Sequence, residues 1–141
     1  MNKRILILCT GNSCRSQMAE GFLRNYGPEL EVFSAGTHPA KEVNLNSIAV
    51  MDEIGIDISS HKPDNINLYT DQPFDYVITV CDNAKEICPV FSGNVKNTLH
   101  ISFVDPAEAT GSKEKIMEEY REVRDEIKIA FKQLYDTKLK E

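Results

Sequence analysis

The chain has 141 residues, 41% of them hydrophobic, and a formal net charge of −6 from 16 basic and 22 acidic side chains. That length fits a single domain spanning 1–141 with a substantial core, and the acidic balance argues against nucleic acid as a partner without excluding a small anion held in a local cradle. No apolar run is long enough to span a membrane, and Thr10 and Asn12 end the first one, so the N-terminus reads as a strand rather than a secretion signal and the expected location is the cytoplasm.

Lys3 to Leu8 is the first predicted strand. It runs into Cys9-Thr-Gly-Asn-Ser-Cys-Arg15-Ser16, and a helix follows from Ser16 to Tyr26, with Met18, Ala19, Phe22, Leu23 and Tyr26 at helical spacing and Gly27-Pro28 as its stop. Strand, tight loop and helix start form an anion cradle, in which loop N–H groups and the helix N-terminus point at one spot. The expected oxyanion-binding residues are Thr10, Gly11, Asn12, Ser13, Cys14 and Arg15. Gly11 permits the turn, Asn12 tolerates left-handed backbone angles, and Arg15 offers a planar fork to a tetrahedral oxyanion. Cys9 stands at the rim, where those donors are expected to lower its pKa and favour the reactive thiolate. Ser16 is a second candidate for stabilising that thiolate, or a plain N-cap.

Glu31 to Ala35 is a second short strand, ended by Gly36, and Asn44 or Asn46 caps a second helix carrying Ile48, Met51 and Ile54, with Gly55 beyond it. Residues 56–71 are irregular, with Pro63 breaking any helix. Tyr76 to Val80 is the clearest buried strand, and Cys81 follows it. Asp82 to Ile87 can begin a helix that Pro89 limits, Gly93-Asn94 marks a turn, and Leu99 to Val104 is the predicted fourth strand, ending at Asp105-Pro106. A long helix from Ser112 to Leu139 closes the chain, N-capped by Ser112, with Glu114 in its first turn. Its apolar stripe runs through Ile116, Tyr120, Val123, Ile127, Phe131 and Leu134. The alternation predicts an α/β open parallel sheet of about four strands with helices on both faces. Sites in such sheets form beyond the carboxyl ends of the strands. Cys9, Cys81 and Asp105 each follow a predicted strand on that edge, so three distant segments are expected to make one site.

The four cysteines stand at 9, 14, 81 and 88. Zinc is a poor reading, because only the first pair comes within the close spacing of a structural site, and no metal is expected. His38, His61 and His100 have no metal-ligand spacing and are read as structural, and core packing is the default for Cys14. If residues 81–88 stayed helical, the Cys81 and Cys88 Cα atoms would be about 10.5 Å apart, whereas a disulfide tolerates roughly 4.4–6.8 Å. Bonding these two sulfurs therefore requires the segment to loop out, and a mobile 82–98 region is expected to change conformation with redox state.

Cys9-x5-Arg15-Ser16 resembles the signature loop of the low-molecular-weight protein tyrosine phosphatase fold, and the run through Gln17-Met18-Ala19-Glu20 resembles the arsenate reductases built on it. Asp105-Pro106 matches the family's acid motif, but Ala107 and Glu108 stand where the phosphatases usually have an aromatic, and Gln17 stands where they usually have Pro. The resemblance to the thioredoxin-coupled reductases implies catalytic roles for Cys9, Arg15, Ser16, Cys81, Cys88 and Asp105. It implies a relay in which Cys9 attacks arsenate, Cys81 takes the Cys9 sulfur, and Cys88 takes Cys81. An external dithiol such as thioredoxin then regenerates the protein, with no bound cofactor. Arsenate is the implied substrate, phosphate and sulfate its competitors, and a monomer the expected state. Some family members hold potassium near residues matching Asn12, Glu20, Ser34 and Asp64; Lys62 replaces a hydroxyl residue there, and its ammonium is expected to stand in for the ion. The alternative enzyme is a phosphatase using Cys9, Arg15 and Asp105 on phosphotyrosine or small phosphoesters, and some residual activity of that kind is expected from the shared loop. A third class is a non-catalytic oxyanion or redox sensor.

Overall fold

The computed structural model describes residues 2–82, 86 and 88–140. Four parallel strands, β1 (Arg4–Cys9), β2 (Glu31–Gly36), β3 (Phe74–Thr79) and β4 (Val95–His100), form one sheet in the order β2-β1-β3-β4. Three α-helices accompany them among the described residues: α1 (Arg15–Tyr26), α2 (Leu45–Asp52) and α3 (Lys113–Leu134). From β1 the chain moves one way to β2, then crosses back past β1 to β3 and β4 on its other side. The sheet's switch point, where ligands of open α/β sheets bind, therefore lies at the carboxyl ends of β1 and β3.

The alternation of β1 divides the core. Ile5, Ile7 and Cys9 point to the face packed by Met18, Phe22 and Leu23 of α1, Val50 and Met51 of α2, and Tyr120, Val123, Ile127, Phe131 and Leu134 of α3. Leu6 and Leu8 point to the other face, with Ala35, Tyr69, Phe74 and Val77. Helical cover is shared unequally between the faces. The second carries a 3-10 turn at Ile66–Leu68 and an aromatic cluster in which Phe33, Tyr69, Phe74 and Phe91 meet edge-on or tilted.

The cap of α2 is Asn44, whose side chain accepts from the Asn46 and Ser47 N–H groups, and Gly55 adopts a φ of 80° just beyond. Ser112 caps α3 by accepting from the Lys115 N–H. The α-helix stops at Leu134, and Tyr135–Leu139 continue as a π-turn, five residues short of the predicted α-helical end. Arg124 pins α3 to α2 by donating to the Val50 carbonyl at 2.9 Å and to Glu53 at 2.8 Å.

The fourth strand is displaced from its predicted position. It spans Val95–His100, not Leu99–Val104, and pairs Val95 with Phe74 and His100 with Thr79. As an edge strand with mostly exposed residues it reads as polar. The apolar signal came from Ile101 and Phe103, which belong to the following extended stretch; Ile101 makes one more backbone bond, to Thr79, and Phe103 packs in the core. The expected mobile region overlaps this strand at 95–98. Within the helix expected over 82–87, residues 83–85 and 87 lie outside the described residues.

Candidate active site

The loop after β1 is held from behind. The carbonyls of Thr10, Gly11 and Ser13 accept from the N–H groups of His38, Ala40 and Asn44 at 2.9–3.0 Å, and the Cys14 carbonyl accepts from Met18 in the first turn of α1. The Asn12 carbonyl accepts from Gln17 Nε2 at 3.1 Å. The C=O and N–H of a trans peptide point opposite ways. Tying five successive carbonyls outward therefore turns the loop's N–H groups inward, beside the N-terminus of α1. Asn12 takes the left-handed conformation, φ 50°, as its residue type permits. Gly36 is required opposite it, because a Cβ there would strike the Thr10 carbonyl.

Beneath the loop lies a buried polar network. Asn12 Nδ2 donates to Ser16 Oγ at 2.8 Å and to Ser34 Oγ at 2.9 Å, and Asn12 Oδ1 accepts from the Asp64 N–H. Ser34 donates to Glu20 at 2.6 Å. Ser16 is the second residue of α1, whose N-cap is Cys14, so the plain N-cap reading of Ser16 falls away. The cation paired with Glu20 is Arg24 at 2.9 Å, with His61 at 3.6 Å. Lys62 contributes its backbone carbonyl, which accepts from Gln17 Nε2 at 3.2 Å. Gln17, noted in the sequence only as a departure from proline, is wholly buried and braces the loop through its Nε2, while its Oε1 lies 3.0 Å from His61 Nδ1.

The cradle opens into a hollow of about 280 Å³ lined by residues 9–15 with Glu86, Asp105 and Glu108. Arg15 is nearly buried, and its Nη1 also donates to the Phe103 carbonyl at 3.1 Å, which ties the stretch after β4 to the site. Asp105 reaches the hollow on that stretch, five residues past the end of β4, rather than directly from a strand end as predicted. Its Oδ2 stands 3.6 Å from Arg15 Nη2 while its Oδ1 accepts from the Ala107 N–H. Three larger hollows lie elsewhere, one around Arg4 and Asp75 at the opposite end of the sheet, one beside Ile129 on α3 and one around Leu45 at the start of α2; none is lined by a cysteine.

Glu86 is the participant that sequence patterning missed. Its carboxylate accepts from Arg15 Nη1 at 2.7 Å and Nη2 at 3.0 Å, from Thr10 Oγ1 at 3.1 Å and from the Asp82 N–H at 3.1 Å. Burial works against its charge, but the bonds from Arg15, Asp82 and Thr10 outweigh it and lower its pKa. Arg15 is likewise desolvated, and the carboxylate of Glu86 more than restores its preference for the charged form. Arg15 Nε remains buried with no hydrogen-bond partner among the described residues.

The expected lowering of the Cys9 pKa does not hold in this state. Burial pushes the thiol up, Arg15 and the Thr10 N–H act against it without overcoming it, and Glu86 and Asp105 add to the rise. Burial is the main cause, and Glu86, the anion paired with Arg15, adds to it through space. Cys14 is buried in the helical-face core, as its default reading required, and burial raises its pKa too.

Cys81 and Cys88 are joined by a disulfide, with Cα atoms 5.8 Å apart, inside the window that a straight helix exceeds. Cys81 lies two residues past β3 and is wholly buried; Cys9 packs in the same core cluster. Cys9 and Cys14 are free. His100, read from sequence as structural, brings a ring nitrogen within 4.8 Å of the two bonded sulfurs, and its Nδ1 meets Thr79 Oγ1 at 2.6 Å.

Residues 4–141 match the low molecular weight phosphotyrosine protein phosphatase family. An arsenate reductase of Halalkalibacterium halodurans is 48% identical over 129 residues, covering 90% of this chain and 91% of its own. A solved structure of an arsenate reductase in the phosphate binding state superposes with a TM-score of 0.81 at 31% identity, covering 98% of this chain and 99% of that one. A Corynebacterium glutamicum thioredoxin-dependent arsenate reductase superposes with a TM-score of 0.58 at 28% identity, covering 94% of this chain and 63% of that one.

Proposed function

The chain belongs to the low molecular weight phosphotyrosine protein phosphatase family, alongside bacterial arsenate reductases, and on that footing we propose that it reduces arsenate to arsenite through Cys9, Cys81 and Cys88. The observation that carries the reading is a bonded sulfur pair on the same sheet edge as a cradle with its own free cysteine. Hydrolysis of a phosphoester needs one thiolate and one acid; it has no use for a second sulfur pair.

Arsenate binds in the cradle through the inward N–H groups, the N-terminus of α1 and Arg15. The Cys9 thiolate attacks arsenic(V), and one arsenate oxygen leaves as water, with Asp105 as its proton donor. Cys81 as thiolate then attacks Cys9 Sγ. The electron pair of the S–As bond passes to arsenic, which leaves as arsenite, arsenic(III), and a Cys9–Cys81 disulfide remains. Cys88 as thiolate attacks Cys81 Sγ and frees Cys9, giving the Cys81–Cys88 disulfide. Two thiols have supplied the two electrons. An external dithiol then reduces the Cys81–Cys88 bond by exchange; thioredoxin is the donor of choice, in keeping with the solved C. glutamicum relative. The thiol inventory seen here, with Cys9 and Cys14 free and Cys81 bonded to Cys88, is the one that precedes that last step. Phosphate has the same shape but no accessible lower oxidation state, so it occupies the cradle without reduction.

Aryl phosphate hydrolysis is a secondary reading, favoured by Asp105 standing over the hollow beside Arg15. Glu108 lines the same mouth where those phosphatases usually carry an aromatic, and its carboxylate repels an anionic phosphotyrosine substrate. No helix of the described residues is long and apolar enough to cross a membrane, and the protein is read as a cytoplasmic monomer. The test is arsenate-dependent NADPH oxidation with thioredoxin and its reductase. Wild type is expected to turn over repeatedly, and Cys88→Ser to stop after about one equivalent, because its relay halts at Cys9–Cys81. Sustained turnover by Cys88→Ser would overturn the relay, and aryl phosphate hydrolysis without NADPH oxidation would make the protein a phosphatase.

A further inference from the structure

Glu86 makes the contacts an oxyanion would make. Two carboxylate oxygens lie on the two Nη atoms of Arg15 in the fork-to-fork arrangement, one of them also accepting from Thr10 Oγ1 at the loop's first residue. Paired carboxylate oxygens and two oxygens of a tetrahedral oxyanion offer a guanidinium the same edge. The carboxylate cannot share that edge of Arg15 with a bound oxyanion, and the two negative charges repel at such a distance.

The residue that delivers this carboxylate lies between the two bonded cysteines. Its N–H donates to the Asp82 carbonyl at 2.9 Å and its carboxylate accepts from the Asp82 N–H, so Glu86 is folded back on the residue that follows Cys81. The disulfide holds the far end of the same loop, drawing the Cys88 Cα to 5.8 Å from that of Cys81. A helical path between the same residues would need about 10.5 Å. Opening the disulfide would release the Cys88 end from that 5.8 Å separation.

We propose that Glu86 is an internal ligand of the oxyanion site, seated on Arg15 and Thr10 while Cys81 and Cys88 are bonded and withdrawn when they are reduced. This rests on the reading of the cradle as an oxyanion site. Its consequence is an order of events. Oxidised protein, which has no electrons to give, rejects arsenate and phosphate; reduction by the external dithiol restores both the thiols and the binding site in one step.

Inorganic phosphate is the probe, because it binds without being reduced, and its dissociation constant is measured by calorimetry for four proteins: oxidised and reduced wild type, and oxidised and reduced Glu86→Gln. Oxidised wild type is expected to bind at least about tenfold more weakly than reduced wild type, as loss of a two-point charged contact to a competitor implies. Oxidised Glu86→Gln is expected to regain most of that affinity, while reduced Glu86→Gln stays within about twofold of reduced wild type. Cys81→Ser, in which neither the Cys81–Cys88 nor the Cys9–Cys81 bond can form, is expected to bind like the reduced protein under all conditions and supplies a second route that leaves Glu86 intact. Equal affinity of oxidised wild type and oxidised Glu86→Gln, with reduced protein binding phosphate, would overturn the proposal and leave the oxyanion site standing. An equal gain from Glu86→Gln in both redox states would overturn the coupling to the disulfide. No phosphate binding by any form, reduced wild type included, would remove the oxyanion reading itself and the proposal with it.

Discussion

Asn12 carries two burdens that substitution can separate. Its backbone is left-handed, and its side chain makes three hydrogen bonds in a fully buried setting, two donated to Ser16 and Ser34 and one accepted from the Asp64 N–H. Replacing it by Ala or Gly deletes all three and strands the Asp64 N–H. Each unsatisfied buried group costs about 1–3 kcal/mol, so both variants should lose roughly 2–5 kcal/mol, a large share of a typical 5–15 kcal/mol total. They differ in the backbone. Ala in the left-handed region pays about 1–2 kcal/mol, and the greater chain entropy of unfolded Gly returns about 0.4–1 kcal/mol of that difference. Asn12→Gly should therefore be more stable than Asn12→Ala by up to about 1.6 kcal/mol, although Gly is the weaker residue almost everywhere else. Urea unfolding of the two variants and wild type, under identical redox conditions, measures this directly. Asn12→Ala matching or exceeding Asn12→Gly would refute the backbone argument, and a loss below about 1 kcal/mol in both would refute the account of the network.

Two pH dependences follow from the charges. Burial, with Glu86 and Asp105, raises the Cys9 pKa in the disulfide form; alkylation of Cys9 by iodoacetamide should reach half its maximal rate above the ordinary cysteine range, and Glu86→Gln should move that midpoint down. An unchanged midpoint would mean that Glu86 exerts no field at the sulfur. On the far side of the molecule, hydrogen bonds from Arg121 and then Arg124 hold the exposed Glu53 carboxyl down to about 2. A folded pKa below the unfolded one stabilises the protein above the unfolded value of 4.5, and that contribution fades as pH falls from 4.5 through about 2. Thermal unfolding between pH 5 and pH 2 should thus fall less steeply in Glu53→Gln than in wild type, and parallel curves would contradict the assignment.

Much of the site was legible because its signals are local. The strand, the left-handed Asn12, the start of α1 and the caps Asn44 and Ser112 depend on neighbours within a few residues, and all stand where their residue types call for them. The Cys81–Cys88 spacing also carried its own geometric condition, and the bonded pair, with Cα atoms 5.8 Å apart, meets it. The fourth strand was misplaced by four residues because an edge strand exposes most of its side chains and loses the apolar pattern that marks buried ones.

Chain order and residue type were enough to indicate a parallel α/β sheet, a tight loop between strand and helix, and a pair of cysteines able to close only when unwound. What tertiary structure alone decided is the occupancy and electrostatics of that loop. Gln17 reaches back to brace the Asn12 carbonyl, Asp105 arrives on an extended stretch, and Glu86 crosses from the segment between the cysteines to Arg15, 71 residues away in the chain. Charge and burial act through space and not along the chain. The same Cys9 whose pKa its neighbours in sequence would lower has it raised, by burial first and then by Glu86 and Asp105.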